Sequence, residues 1–134
     1  MNLFQVSKAP LEQITLVEAS AGTGKTYSIK HLVLRLVVEE AISIERLLVM
    51  TFTRAATAEL KRRIEEHFRE TADVLMGRTL ERGLIAEQIA LWEAKGITRE
   101  MALARVEAAL AELDRANILT IHSFCRQILQ ERSF

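Results

Sequence analysis

The chain has 134 residues, 49% of them hydrophobic and 27% charged, which is one domain's worth of ordinary folded protein and excludes a disordered chain. Eighteen basic and eighteen acidic residues leave no formal net charge, so a strongly basic tail for nucleic acid is excluded, while local basic surface stays open. A single cysteine, Cys125, rules out an internal disulfide framework and a cysteine-only zinc site, and it suits a reducing compartment. The start, MNLFQVSKAPLEQ, lacks the basic flank and apolar run of a signal peptide, and the apolar stretches are too short and too interrupted to span a membrane. The expected location is therefore cytoplasmic.

In chain order, the first element is a short apolar and β-branched run, Ile14 to Glu18, which predicts a buried strand. A loop, AlaSerAlaGlyThrGlyLysThr, occupies residues 19 to 26. A helix follows, with Ile29, Leu32, Val33, Leu36 and Val37 on one face, and Leu34 and Val38 widening the stripe. A second buried strand is predicted over Arg46 to Phe52. Thr53 then caps a helix from about Arg54 to Met76, with Leu60, Ile64, Phe68 and Leu75 as its stripe and Gly77 as its stop. Two more helices are predicted, from about Leu84 to Lys95 and from about Arg99 to Leu113, separated by Gly96 and Thr98. The second places Ala102, Val106, Ala109, Leu110 and Leu113 on one face. A third strand, Asn117 to Ile121, leads into a last helix carrying Phe124, Cys125, Ile128 and Leu129. Strands alternating with helices predict a mostly parallel α/β sheet covered by helices.

The loop carries the clearest chemistry. Gly22 and Gly24 let backbone N–H groups converge on a phosphate without a side-chain clash. The helix that follows adds the positive end of its dipole. Lys25 reaches the β- and γ-phosphates of a nucleotide, and the Thr26 hydroxyl is a ligand for Mg²⁺. The full spelling of such a loop begins with glycine, where this chain has Ala19. The candidate ATP-binding set is Ala19, Ser20, Ala21, Gly22, Thr23, Gly24, Lys25, Thr26 and Tyr27, with Thr26 as the candidate metal ligand. Tyr27 is placed either to stack on the adenine or to pack on the sheet.

Three segments together, GluAlaSerAlaGlyThrGlyLysThr (18 to 26), ValMetThrPheThrArgAlaAlaThrAlaGluLeuLysArgArgIle (49 to 64) and LeuThrIleHisSerPheCys (119 to 125), resemble the first three motifs of superfamily 1 DNA helicases of the UvrD/Rep type. The wording is nearest to the RecB-like branch of that family, the β subunits of exodeoxyribonuclease V, in which alanine at the first loop position is usual. The resemblance covers nearly all of the chain and is weakest from Arg78 to Arg115, where it implies a helical insertion. It implies that residues 1–134 are the N-terminal part of the first RecA-like P-loop domain of an ATP-dependent helicase and exonuclease acting in double-strand break repair and recombination. It further implies ATP and Mg²⁺ as cofactors, single- and double-stranded DNA as partner, and RecC- and RecD-like subunits beside the full-length protein.

The resemblance also carries DNA contacts onto two strand ends. In the second motif these are Thr51, Phe52, Thr53 and Arg54, with Phe52 suited to stacking on a base and Thr53 and Arg54 to meeting phosphates. By residue type alone Phe52 reads as core and Thr53 as a cap; the motif reverses that preference. In the third motif they are Thr120, His122 and Ser123, while Phe124 is assigned to the core by its spacing with Ile128. Lys61, Arg62 and Arg63 lie off the apolar stripe among Glu59, Glu65 and Glu66, and read as a solvated face.

Hydrolysis needs more than a phosphate cradle. Of the acidic residues only Asp73 and Asp114 are aspartates, and neither follows an apolar strand in the way a Mg²⁺-holding aspartate beside a water-activating glutamate requires. The chain is therefore expected to be an N-terminal fragment that binds nucleotide weakly, does not turn it over, contains no catalytic residue of its own, and self-associates through uncovered sheet edge and helix faces. The alternatives are a small P-loop nucleotide enzyme without DNA and a non-catalytic interaction domain with a relic loop.

Overall fold

The computed structural model describes residues 23–132. Helix α1 runs Thr23–Glu39, strand β1 Leu48–Thr51, α2 Arg54–Leu75, α3 Gly83–Ala94, α4 Arg99–Ala111, β2 Asn117–Thr120 and α5 Ile121–Arg132. Short 3₁₀ turns, Ile44–Arg46 and Leu113–Arg115, lead into the two strands. The strands pair in parallel, from Leu48 opposite Asn117 to Thr51 opposite Thr120. The described part is thus mixed helix and parallel sheet, as the alternating pattern predicts. The strand expected at Ile14 to Glu18 lies outside the described residues.

Local chemistry explains most of the boundaries. Thr53 sits in extended conformation and its hydroxyl accepts from the Ala56 amide at 3.0 Å, which starts α2. Thr98 does the same for α4 through the Met101 amide at 3.1 Å. Between α3 and α4 the chain turns at Gly96 with φ of +85°, a conformation that glycine adopts without the Cβ clash of other residues. Several expected boundaries shift. The strand expected from Arg46 to Phe52 keeps only Leu48–Thr51, because Ser43 caps a 3₁₀ turn that takes up Ile44 to Arg46. Helix α4 ends at Ala111, and Leu113 buries from the following turn instead. Ile121 belongs to α5 rather than to the strand before it.

Helix α2 is the centre of the packing and lies against α1, α4 and both strands. Its expected stripe, Leu60, Ile64, Phe68 and Leu75, is buried, and so are His67, Thr71, Ala72 and Val74. On α1, Ile29, Val33, Leu34, Val37 and Val38 are buried, while Leu32 and Leu36 are only half-buried. Trp92 and Ile89 of α3 and Ala102, Val106 and Ala109 of α4 complete the core. Burial of this apolar surface is the main driving force for the fold, at about 25 cal/mol per Å² removed from water.

Two polar features lie inside this packing. At the end of α1 the Glu39 side chain is 4% exposed and the Arg35 side chain 3%. The Glu39 carboxylate accepts from Arg35 Nε at 2.7 Å, Gln88 Nε2 at 3.3 Å, Trp92 Nε1 at 3.3 Å and Lys95 Nζ at 2.5 Å. Burial alone would raise its pKa, but the hydrogen bonds and charges of Arg35 and Lys95 outweigh burial and hold it below the ordinary value. Further along, the rings of His31 on α1 and His67 on α2 meet edge to face with centroids 4.2 Å apart. Burial lowers the pKa of His31 to about 4, with help from the charge of Lys30, and lowers that of His67 to about 3, with help from His31 and Lys30. Both rings are therefore neutral at pH 7.

Replacing Glu39 with Gln removes the buried negative charge that Arg35 and Lys95 both face. The substitution is expected to cost about 3 kcal/mol of unfolding free energy in urea titration. The histidines set the acid limb of stability. Their folded values lie below the unfolded 6.5, so between these values the unfolded chain binds the extra protons and stability falls as pH falls. Full stability is expected above pH 6.5, with a decline of up to about 1.4 kcal/mol per pH unit for each titrating ring on moving toward pH 4. The variant His67→Leu should show a shallower decline over that range in denaturant titrations at stepped pH.

Candidate functional site

The two strands end level with each other, Thr51 opposite Thr120, and each delivers a helix. Thr120 begins α5 as Thr53 begins α2: its hydroxyl oxygen accepts from the Ser123 amide at 3.0 Å and lies 2.9 Å from the Ser123 hydroxyl. Two helix N-termini therefore open beside one set of strand ends. A cleft of about 240 Å³ lies there, lined by Arg54, Thr57, Ala58, Ile118, Leu119, Thr120 and Ser123. Backbone N–H groups of a first helical turn have no partner within the helix, and with the helix dipole they favour an anion.

The structure sorts the expected contact residues. Phe52 is 54% exposed on the short connection between β1 and α2, so it is not a core residue. Thr53 and Arg54 are exposed, and among the described residues Arg54 makes no ion pair. Arg54 and Ser123 line the same cleft, which brings the two motifs together. His122 is exposed on the first turn of α5 but does not line the cleft. Thr51 is only 1% exposed, and its hydroxyl is engaged with Thr57 at 2.5 Å and with the Thr53 carbonyl at 3.2 Å. Thr120 is likewise 9% exposed and spent on capping. These two threonines shape the strand ends from within.

Phe124 departs from expectation: it is half-buried, and its helical neighbours Ile128 and Leu129 are exposed. The correct helical period of α5 does not seat that stripe in the core described here. The basic cluster behaves as its sequence suggests. Arg62 pairs with Glu59 at 2.8 Å and Glu66 at 2.5 Å, Arg63 pairs with Glu59 at 2.8 Å, and Lys61 faces Asp114 at 3.6 Å. Arg62 and Arg63 are matched along the helix and Lys61 across to the turn before β2, and among the described residues Arg54 is the cation that lines the cleft.

Residues 19–22 of the expected phosphate loop lie outside the described residues. Thr23 to Tyr27 form the opening of α1, so the helix begins within the glycine–lysine segment, two residues earlier than Lys25. Asp73 lies within α2, 3.9 Å from Arg78, and Asp114 lies on the 3₁₀ turn before β2. Among the described residues no group of His, Cys, Asp and Glu is arranged to hold a metal ion, and no helix is long and apolar enough to cross a membrane. Sequence reasoning missed Thr57, which faces both the cleft and Thr51. Its signal was present as a hydroxyl four residues after the Thr53 cap, one helical turn on.

Parallel strands that open into helices beside a cleft at their ends are an α/β arrangement. The chain belongs to the UvrD/REP helicase N-terminal domain family, whose model matches residues 3–134. It is similar to the RecBCD enzyme subunit RecB of Haemophilus influenzae, 38% identical over 93% of this chain and 11% of that protein. The RecB subunit of Escherichia coli K12 is 35% identical over 95% of this chain and 11% of its own length. That of Mycobacterium tuberculosis H37Rv is 37% identical over 87% and 10%. The chain spans about a tenth of the length of these relatives.

The division of labour around β1 has a direct test. Thr53→Ala removes the cap of α2 and is expected to cost about 1 kcal/mol of stability. Phe52→Ala removes a ring already open to solvent and is expected to leave the urea midpoint within about 0.5 kcal/mol of the parent.

Proposed function

We propose that this chain is the ATP-binding segment of a RecB-like DNA helicase subunit acting in DNA repair, and that it forms part of the first RecA-like P-loop domain of that enzyme. The observation that carries this reading is the cleft at the level ends of β1 and β2, where Arg54 and Ser123 stand beside two helix N-termini. A polyanion is the ligand that such a cleft suits. Single-stranded DNA crosses it with phosphates on Arg54, Thr53 and the amides of α5, and a base stacks on the exposed Phe52. His122 and Ser123 add donors to the backbone.

The start of α1 supports the nucleotide half. The helix opens at Thr23, so the unpartnered amides of its first turn belong to the GlyThrGlyLysThr run, and this donor chemistry fits a phosphate chain. Residues 19–24 would wrap the phosphates, Lys25 would balance their charge, Thr26 would ligate Mg²⁺, and Tyr27 would lie near the base. Mg²⁺ when bound supplies charge neutralisation between the phosphates. Neither Asp73 nor Asp114 stands at a strand end, so these residues bind nucleotide without turning it over. Helices α3 and α4 are the variable insertion of residues 78–115. The RecB relatives are named as subunits of a RecBCD enzyme, and RecC- and RecD-like chains are the corresponding partners of the whole protein, in the cytoplasm. The exposed Ile128 and Leu129 of α5 favour self-association of this chain by itself.

Calorimetric titration with Mg-ATP, and separately with oligothymidylate, tests both halves on one protein. The expected outcome is that Lys25→Ala abolishes the nucleotide heat and keeps DNA binding, while Arg54→Ala weakens DNA binding about tenfold and keeps the nucleotide. Failure of the parent chain to bind either ligand overturns the reading.

A further inference from the structure

The connection from β1 to α2 carries three threonines whose polar groups close on one another. The Thr57 hydroxyl lies 3.1 Å from the Thr53 carbonyl oxygen and 2.5 Å from the Thr51 hydroxyl. The Thr57 amide also reaches the Thr53 carbonyl, at 3.0 Å. The Thr51 hydroxyl is 3.2 Å from the same carbonyl and 3.5 Å from the carbonyl of Leu119 on β2. One assignment satisfies both hydroxyls: Thr57 donates to the Thr53 carbonyl and accepts from Thr51.

This arrangement is more than a helix start. The cap of α2 is already supplied by the Thr53 hydroxyl and the Ala56 amide. The Thr57 hydroxyl acts on the other side of the same residue, holding the Thr53 carbonyl, and it is tied through Thr51 to the strand pair. The backbone of Phe52 and Thr53 is thus gripped from both sides while the Phe52 ring and the Arg54 side chain stay in solvent. Without the Thr57 hydroxyl, the exposed ring and guanidinium would ride on a connection held by its cap, the Thr57 amide and the Thr51 hydroxyl alone, and more of their ordering would fall on the binding step.

We infer that Thr57 is a positioning residue for the nucleic-acid cleft: its hydroxyl fixes the Phe52–Arg54 backbone so that ring and cation are preset for a single strand. The inference rests on the DNA reading above and names a residue that acts through others.

The test is fluorescence anisotropy of labelled oligothymidylate with the parent chain, Thr57→Val, Thr57→Ser and Arg54→Ala, each across a salt series. Valine keeps the branched shape and removes the hydroxyl; serine keeps the hydroxyl. The expected result is a five- to tenfold loss of affinity in Thr57→Val with the parent's salt slope, and recovery to within twofold in Thr57→Ser. Arg54→Ala should instead flatten the salt slope by about one phosphate contact. A merely structural role would weaken Thr57→Val only in step with lost thermal stability, so thermal unfolding of each variant accompanies the titrations, and an affinity loss that tracks a lowered midpoint overturns the inference. Parent-like affinity in Thr57→Val beside a weakened Arg54→Ala overturns the positioning role and leaves the DNA reading standing. A flattened slope in Thr57→Val shows direct phosphate contact and also overturns it. Absence of binding by the parent chain, or indifference to Arg54, overturns the DNA reading and the inference with it.

Discussion

A carboxylate removed from water must be surrounded by donors, and the Glu39 side chain meets that requirement at the end of α1. Arg35 approaches from one turn back on the same helix, while Gln88 and Trp92 approach from α3, four residues apart, and Lys95 from the residue just past its end. The spacing puts Gln88 and Trp92 on one face of α3. Since the charge tolerates no vacancy in this ring of donors, the rotation of α3 about its own axis is set by the end of α1. Neighbouring bonds extend the same constraint to α4: Arg105 donates to the Val38 carbonyl, and Ser43 to Glu112 at 3.1 Å. The two helices between residues 78 and 115 are thereby locked to the far end of the helix whose beginning carries the glycine–lysine segment.

Much of the local structure was legible because its causes are local. A threonine in extended conformation can accept from the amide three residues on and so start a helix, and Thr53 and Thr98 begin α2 and α4 in this way. Gly77 and Gly96 take positive φ where helices stop. The stripe of α2 is an intrinsic period and it buried as read. The strand around β1 was overestimated because an apolar run carries no mark where a 3₁₀ turn hands over to extended chain; Ser43, the residue that decides it, lies outside that run. For α5 the period was right and the burial was not, since period gives a face and only the packing of other elements decides whether that face is covered.

What sequence could not give is the identity of partners far apart in the chain. Arg35 and Glu39 look like an exposed pair one turn apart, and only the arrival of α3 makes them interior. His31 and His67 are separated by the whole of β1, and nothing in either neighbourhood announces the contact. For the candidate site, motif resemblance named Thr51, Phe52, Thr53, Arg54, Thr120, His122 and Ser123 as candidates. It did not separate the buried threonines that shape the strand ends from the exposed residues that face solvent, a distinction that appears only with burial and hydrogen-bond partners. Thr57 escaped because a single threonine within an alanine-rich turn is unremarkable until its hydroxyl is seen to meet Thr51.

Helix α2 joins these features physically. Its first turn is held by threonines at the cleft, and its fourth turn carries His67 and Phe68 into the core, with His67 against His31 of α1. Twenty-two residues make a rod of about 33 Å, and a packed helix moves as a unit rather than bending freely. Neutral imidazoles suit the joint between α1 and α2, because they fill it with ring surface and carry no charge near pH 7 for which burial would demand a counter-ion. A displacement of α1 relative to α2 must break the His31–His67 edge contact and re-pack Phe68, while the cleft end of α2 is tied to β1 and β2 through Thr51. The segment proposed for nucleotide and the cleft proposed for DNA thus lie on two helices that pack against each other through these buried rings.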